Sequence, residues 1–373
     1  MIATPLLQPL LRFTGAADPD RFRDDLSACC FDGRGRLWCA SDELTGLSCL
    51  PPQPAAASGA VTFGSHRFMN LAPLFDLPDG PHEELDLEGM DATDDAHGRE
   101  RIWFVGSHTS TRGKPRADEP ERKQLKALRD VKRRLNRFLL GYLEPAQDAA
   151  GAQQTAQLPI GKRGNALSEA LRDDEHLAPF LRCQDAGRGW PQLASKENGF
   201  DIEGLAARGA RLFLGLRGPV LRGWALLLEV EIDDARAPKL RLNRIGRGKR
   251  RYRKHFIHLD GMGVRDLVWH GDDLLILAGP TMDITGRQTL WRLRDAAGLA
   301  DDSLTARGPA LTALFDVPVE ATGDKAEGLA LWPQPARDAA AGAVLVVYDA
   351  PVAARKVEPC GVKADVFALP AAG

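Results

Sequence analysis

Phe200-Asp201-Ile202-Glu203-Gly204-Leu205-Ala206 places two acidic side chains two residues apart, then a glycine and an apolar pair. The phrase recurs as Asp25-Leu26-Ser27-Ala28-Cys29-Cys30, Asp86-Leu87-Glu88-Gly89-Met90-Asp91, Val264-Arg265-Asp266-Leu267-Val268-Trp269 and Lys325-Ala326-Glu327-Gly328-Leu329-Ala330. After a turn, each copy is followed by a second apolar phrase: Arg36–Ser41, Arg101–Gly106, Arg211–Leu216, Asp273–Ala278 and Ala343–Tyr348. The turns hold Gly or Asp, as in Asp32-Gly33-Arg34-Gly35 and Gly271-Asp272, the chemistry of hairpins. The third residues of the copies fall at 27, 88, 203, 266 and 327, spaced by 61, 115, 63 and 61. Further strand candidates, Trp224–Ile232, Gln288–Leu293 and Val366–Leu369, complete the units.

Short strands repeated at this period, apolar on both faces, are the pattern of propeller blades buried between neighbours. The sequence therefore predicts an all-β fold, a single β-propeller over residues 1–373 with five blades, six being the alternative count. The last unit lacks a clear fourth strand, and Leu10-Leu11-Arg12-Phe13 is expected to supply it and close the ring. Two insertions, 109–135 and 161–198, interrupt the rhythm. Within them, 118–135 reads as a helix with Pro120 in its first turn and a stripe of Leu125, Leu128, Val131 and Leu135. Residues 165–182 read as a second helix with Asn165 as N-cap and Leu167, Leu171, Leu177 and Leu181 as its apolar face.

Composition bounds the function. Lys and Arg number 49 and Asp and Glu 51, so a net charge of −2 gives no global attraction for nucleic acid or anionic lipid. No stretch approaches the ~20 apolar residues of a membrane span. Met1-Ile2-Ala3-Thr4-Pro5 carries no basic n-region, so a cytoplasmic protein is expected, its six cysteines being buried free thiols. No nucleotide-cofactor fingerprint, HExxH or EF-hand loop is present. The run Arg244–His255 is the one local candidate for an acidic partner, on a nearly neutral chain for which nucleic acid is not expected.

The phrases Phe200–Leu205, Ile102-Trp103-Phe104-Val105-Gly106-Ser107-His108, Gly263–Leu267, Ile276–Pro280 and Lys325–Leu329 together resemble a bacterial domain-of-unknown-function family, number 3616. The resemblance extends from about residue 9 to 369 and implies a propeller without implying an activity. The Glu-Gly-Leu openings are also similar, more distantly, to those of esterase-like phytase propellers. The chain departs from the family pattern after His108, where a longer charged segment follows.

In a four-stranded meander the start of the first strand and the end of the second share one face. Asp42, Asp86, Glu88, Asp201, Glu203, Asp266, Lys325, Glu327, His108, Arg217 and Asp349 are thereby expected at one end of the channel. The glycine after each glutamate points the glutamate toward the axis. Glutamates within ~6 Å repel by roughly 3 kcal/mol per pair at an effective dielectric of 20, about two pKa units, so the ring needs a cation or basic neighbours. Glu88, Glu203, Asp266 and Glu327 are the candidate ligands of a divalent metal, calcium first. Arg265, Lys325 and Arg217 are the internal alternative. His108, Glu203 and Arg217 are the candidate catalytic groups, and Asp42, Asp86, Asp201, Arg265, Lys325 and Asp349 would contact ligand. Both insertions would lie over this face as a lid. The expected activity is metal-assisted hydrolysis of an ester, lactone or phosphoester; the alternative is a non-catalytic propeller binding a small anionic ligand or a protein partner.

Overall fold

Two of the hairpin turns are built by aspartate. Asp32 Oδ1 accepts the backbone N–H groups of Arg34 and Arg36, and Oδ2 accepts Arg36 Nε and Trp38 Nε1. Asp95 repeats the device, Oδ1 taking His97 and Arg99 N–H groups and Oδ2 the Arg99 guanidinium. Gly35 and Gly98 supply the left-handed residue that each turn requires. The side chain thus fixes the reversal and hands the chain back as the second strand of its sheet.

The computed structural model describes residues 2–15, 18–54, 59–149, 151–183, 192–319, 323–333 and 342–371. Five antiparallel sheets follow one another along the chain. The first contains Leu26–Phe31, Leu37–Ser41, Gly46–Leu50 and Arg67–Asn70. The second contains Leu87–Asp94, Glu100–Gly106, Leu140–Pro145 and Ala152–Gln157. The third runs Asp201–Arg208, Arg211–Gly218, Trp224–Asp233 and Arg253–His258, with Ser303–Thr305 added in parallel at its edge. The fourth contains Gly263–His270, Asp273–Gly279, Gln288–Leu293 and Leu311–Val317, and the fifth Lys325–Leu331, Ala343–Asp349 and Asp365–Ala368. The first strand of each sheet packs on the first strand of the next, and that of the fifth returns to that of the first. Five apolar cores fill the gaps between successive sheets, the fifth–first gap included. This cyclic arrangement is a β-propeller.

Glycine sets how closely the inner strands approach. A Cβ on Gly89 would meet the Leu205 backbone nitrogen at 2.7 Å, and one on Gly204 would meet Leu267 Cγ at 2.9 Å. One on Gly328 would lie 3.1 Å from the Ala28 backbone. These glycines face the neighbouring sheet, and the residue before each one skips the pairing ladder as a β-bulge. The bulged residues are Ser27, Glu88, Glu203, Arg265 and Glu327. In the fourth repeat the ring position therefore belongs to Arg265. Asp266 takes the place of the glycine, one residue away from the sequence alignment.

The chain ends meet, three residues earlier than expected. Leu7 bridges Val366 antiparallel, with Leu6 N–H donating to Val366 O and Val366 N–H to Leu7 O. Leu10–Arg12 pairs instead with Gly361–Lys363, because Pro9, which has no N–H, ends the first ladder and its carbonyl accepts Ala364 N–H.

The insertions are more broken than their periodicity suggests. The first is a hairpin of Ser110–Arg112 and Val131–Arg133 around a helix at Glu121–Arg129. That helix buries no residue: Leu125 and Leu128 are 61% and 50% exposed, and Val131 has left the stripe for a strand. The second holds two short helices, Ala166–Leu171 and Ala178–Arg182. Asn165 caps the first by accepting Leu167 and Ser168 N–H groups, and Leu167, Leu171, Leu177 and Leu181 are all buried. Part of this insertion, 184–191, lies outside the described residues. Among the described residues no helix is long and apolar enough to cross a membrane. All six cysteines are buried free thiols.

Candidate functional site

Strand starts and second-strand ends converge as the meander requires, around a cavity of about 570 Å³. It is lined by Asp42, Asp86, Glu88, Asp201, Glu203, Arg217, Arg265, Lys325, Glu327 and Asp349, so ten of the twelve residues singled out in the sequence meet there. The two exceptions are Asp266 and His108.

Asp266 is fully buried away from the cavity. Its carboxylate accepts the backbone N–H of Leu267 at 2.8 Å and of Leu329 at 2.6 Å, stitching the fourth inner strand to the fifth. Asp91 does the same for the second and third strands through Ala92 and Ala207. With both oxygens so engaged, Asp266 is placed to join strands, not to reach an ion in the channel. His108 is also sealed. Its Nδ1–H donates to Gly106 O at 2.7 Å, and Nε2 accepts from Asn165 Nδ2 at 2.8 Å, tying the second sheet to the helix cap. Burial lowers its pKa to about 4, so the ring is neutral. A general base at the mouth does not follow from this position.

The cavity divides by chemistry. On one side a belt of ion pairs crosses three sheets: Asp201 to Arg217, Arg217 to Glu203 at 2.6 Å, Glu203 to Arg265 at 3.0 Å, and Arg265 to Glu327. Two of the expected metal ligands, Glu203 and Glu327, are thus neutralised by arginine. Burial and the Glu203 charge lift Asp201 to about 7 against the opposing pull of Arg217.

On the other side, Asp42, Asp86 and Glu88 place one carboxylate oxygen each within 4.8 Å of one another. Asp86 is held by Arg137 Nη1 at 2.7 Å and by the Ser107 hydroxyl. Asp42 Oδ1 is buried with no hydrogen-bond partner, and Glu88 has no ion pair or hydrogen bond among the described residues. Burial, then the charges of Asp86 and Asp349, push Asp42 up to about 8. Burial, then Asp86 and Glu203, push Glu88 well above the usual carboxylate range. Like charges this close cost about 3 kcal/mol per pair at an effective dielectric of 20.

Several lining residues had no repeat to reveal them. Arg137 follows the first insertion in a one-turn helix and is fixed by the His108 N–H to Arg137 O bond. Thr109, Thr111, Ser195 and Lys196 come from the stems of the insertions, whereas none of their three described helices lines the cavity. A further wall, Pro280 to Gly286, is the loop between the second and third strands of the fourth sheet. On the outer edge of the third sheet, part of the basic run is spent internally, while Arg244, Arg247, Lys249 and Arg251 are exposed. Arg250 pairs with Asp301 and Asp302, Lys254 with Asp174, and His255 with Glu229.

Fold and site together define a β-propeller with a polar cavity at one mouth of its channel, divided between an arginine belt and a carboxylate cluster. The chain belongs to the family described as a protein of unknown function, DUF3616, whose model matches residues 25–365. No curated protein matches the sequence. Among solved structures, the PQQ-bound aldose sugar dehydrogenase of Streptomyces coelicolor is 12% identical, covering 98% of this chain and 97% of that one, with a TM-score of 0.36. Virginiamycin B lyase from Staphylococcus aureus is 11% identical over 91% of this chain and 66% of that one, at 0.30. A streptogramin B lyase is 9% identical over 97% of both, at 0.32. Likenesses at this level carry no argument about activity.

Proposed function

We propose that the channel mouth binds a hard divalent cation through Asp42, Asp86 and Glu88 and uses it to hydrolyse an ester, lactone or phosphoester. The observation that carries this reading is the three-carboxylate cluster, with one Asp42 oxygen buried and unpartnered. Oxygens that share one calcium at about 2.3–2.6 Å lie at most about 5 Å apart, so the cluster fits a single ion. An all-oxygen donor set suits calcium, magnesium or manganese over zinc or copper. Such an ion polarises a carbonyl or phosphoryl oxygen and acidifies bound water. Asp201, at about 7, is suited to take up the water proton near neutral pH, with Arg217 and Glu203 positioning it.

Calorimetric titration of chelator-treated protein with calcium, magnesium and manganese tests the reading. One saturable site is expected, weakened at least about tenfold in Asp42→Asn and in Glu88→Gln, since each removes a charged ligand. Absence of cation binding sinks it. A second reading, a propeller that binds a ligand without turnover, is favoured by the seclusion of His108 from the cavity. Cation binding without hydrolysis across ester, lactone and phosphoester panels would decide for it.

A further inference from the structure

We propose that the organic ligand of the channel mouth is an uncharged ester or lactone with an apolar arm, and not a phosphoester or other polyanion. This narrows the substrate class and rests on the reading of that cavity as the functional site. The first observation is charge balance. Among the described residues, eleven carboxyl side chains line the cavity against five cationic ones. Four of the five cations are already engaged: Arg137 by Glu84 and Asp86, Arg217 by Asp201 and Glu203, Arg265 by Glu203 and Glu327, Lys325 by Asp349. One divalent cation does not reverse that excess. A phosphate dianion entering the mouth would meet net repulsion with, among the described residues, one lysine outside these pairs, Lys196, to receive it.

The second observation is the wall that the fourth sheet adds. Pro280, Met282, Ile284 and Val319 line the cavity, and Met282 and Ile284 are 54% and 65% exposed. They stand among only eight large apolar side chains exposed in the described residues. The loop is anchored where it matters, by an antiparallel bridge from Met282 to Glu197, beside the cavity-lining Lys196. Two exposed apolar side chains beside a charged floor suit a ligand polar at one end and hydrocarbon at the other. A neutral carbonyl meets no repulsion from the carboxylates, and its acyl chain gains affinity by covering Met282 and Ile284.

The probes are unreactive neutral amides from acetamide to decanamide, titrated into calcium-equilibrated full-length protein by calorimetry. Affinity is expected to rise roughly threefold per added methylene over the middle of the series. The rise should flatten in Met282→Ser/Ile284→Ser and in Ile284→Ser alone, surface changes that spare the core. Inorganic phosphate and p-nitrophenyl phosphate should bind more weakly than octanamide. Phosphates that bind as tightly as octanamide, affinity independent of chain length, or a slope untouched by the serine variants would each overturn the inference. Calcium is titrated separately without amide. Calcium binding with no chain-length slope removes this inference and leaves the cation reading intact; the slope without calcium binding does the reverse.

Discussion

Arg265 occupies the ring position that glutamate holds in the second, third and fifth sheets, and it contacts two of those glutamates. Its side chain is 6% exposed, so removing it strands buried charge instead of merely cutting a surface pair. Arg265→Met is expected to cost about 3–5 kcal/mol in urea unfolding, with part regained in Arg265→Met/Glu327→Gln, since Glu327 loses its partner while Glu203 keeps Arg217. An unchanged unfolding midpoint for Arg265→Met would mean that the belt carries no stability. His108 acts in the other direction, as a neutral group. Its folded pKa of about 4 lies below its ordinary 6.5. The unfolded chain therefore takes up a proton first as pH falls, and stability present above pH 6.5 is lost on the way down to pH 4. The loss amounts to roughly 3 kcal/mol from this residue. Unfolding free energy measured across that window should fall less steeply in His108→Gln than in the unsubstituted protein, whatever the offset between the two.

Within each inner strand, the bulge and the glycine form one device: the bulge turns the preceding side chain into the channel, and the glycine lets the next sheet close against it. Gly204→Ala places a methyl 2.9 Å from Leu267 Cγ and 3.1 Å from the Asp266 backbone. It should destabilise by about 1–3 kcal/mol as two sheets are pushed apart. An alanine tolerated there, by thermal unfolding, would contradict the close approach. This device is also what the sequence displayed, since Asp-Ile-Glu-Gly-Leu recurs because one geometry recurs. The fourth repeat slipped by one residue because Asp266 resembles a ring acid. Matching Val264 to Ile202 and Leu267 to Leu205 would have put Arg265 in place. What does not repeat stayed hidden. Arg137 and the Met282–Ile284 wall belong to single connections, where no periodicity ties a residue to a face. The leucines of Glu121–Arg129 show the converse failure: an apolar stripe predicts a helix but not that anything covers it.

At the scale of the whole molecule, the ring holds only if its last sheet is fastened to the chain's beginning. The fifth sheet has three strands, and its third, Asp365–Ala368, would be a bare edge without the two backbone hydrogen bonds from Leu6 and to Leu7. The same segment places Ala3 against the core between the fourth and fifth sheets and Leu7 against that between the fifth and first. Deleting residues 2–8 therefore removes those two hydrogen bonds, the bonds from Ala3 N–H to Asp316 O and from Gln8 Nε2 to Asp365 Oδ1, and apolar cover from two inter-sheet gaps at once. At about 1 kcal/mol per bond, and more for the apolar cover, the loss should reach about 5 kcal/mol. It should also expose a strand edge able to pair between molecules. The expected result is a lower thermal midpoint together with concentration-dependent association in light scattering. A substitution such as Leu11→Ala, which hollows the fifth–first core beneath an intact edge, should lower stability by about 2–5 kcal/mol without association. If the deletion lowered the midpoint but left the protein monodisperse at every concentration, Leu6 and Leu7 would be packing elements and the ring would owe its closure to the sheet cores alone.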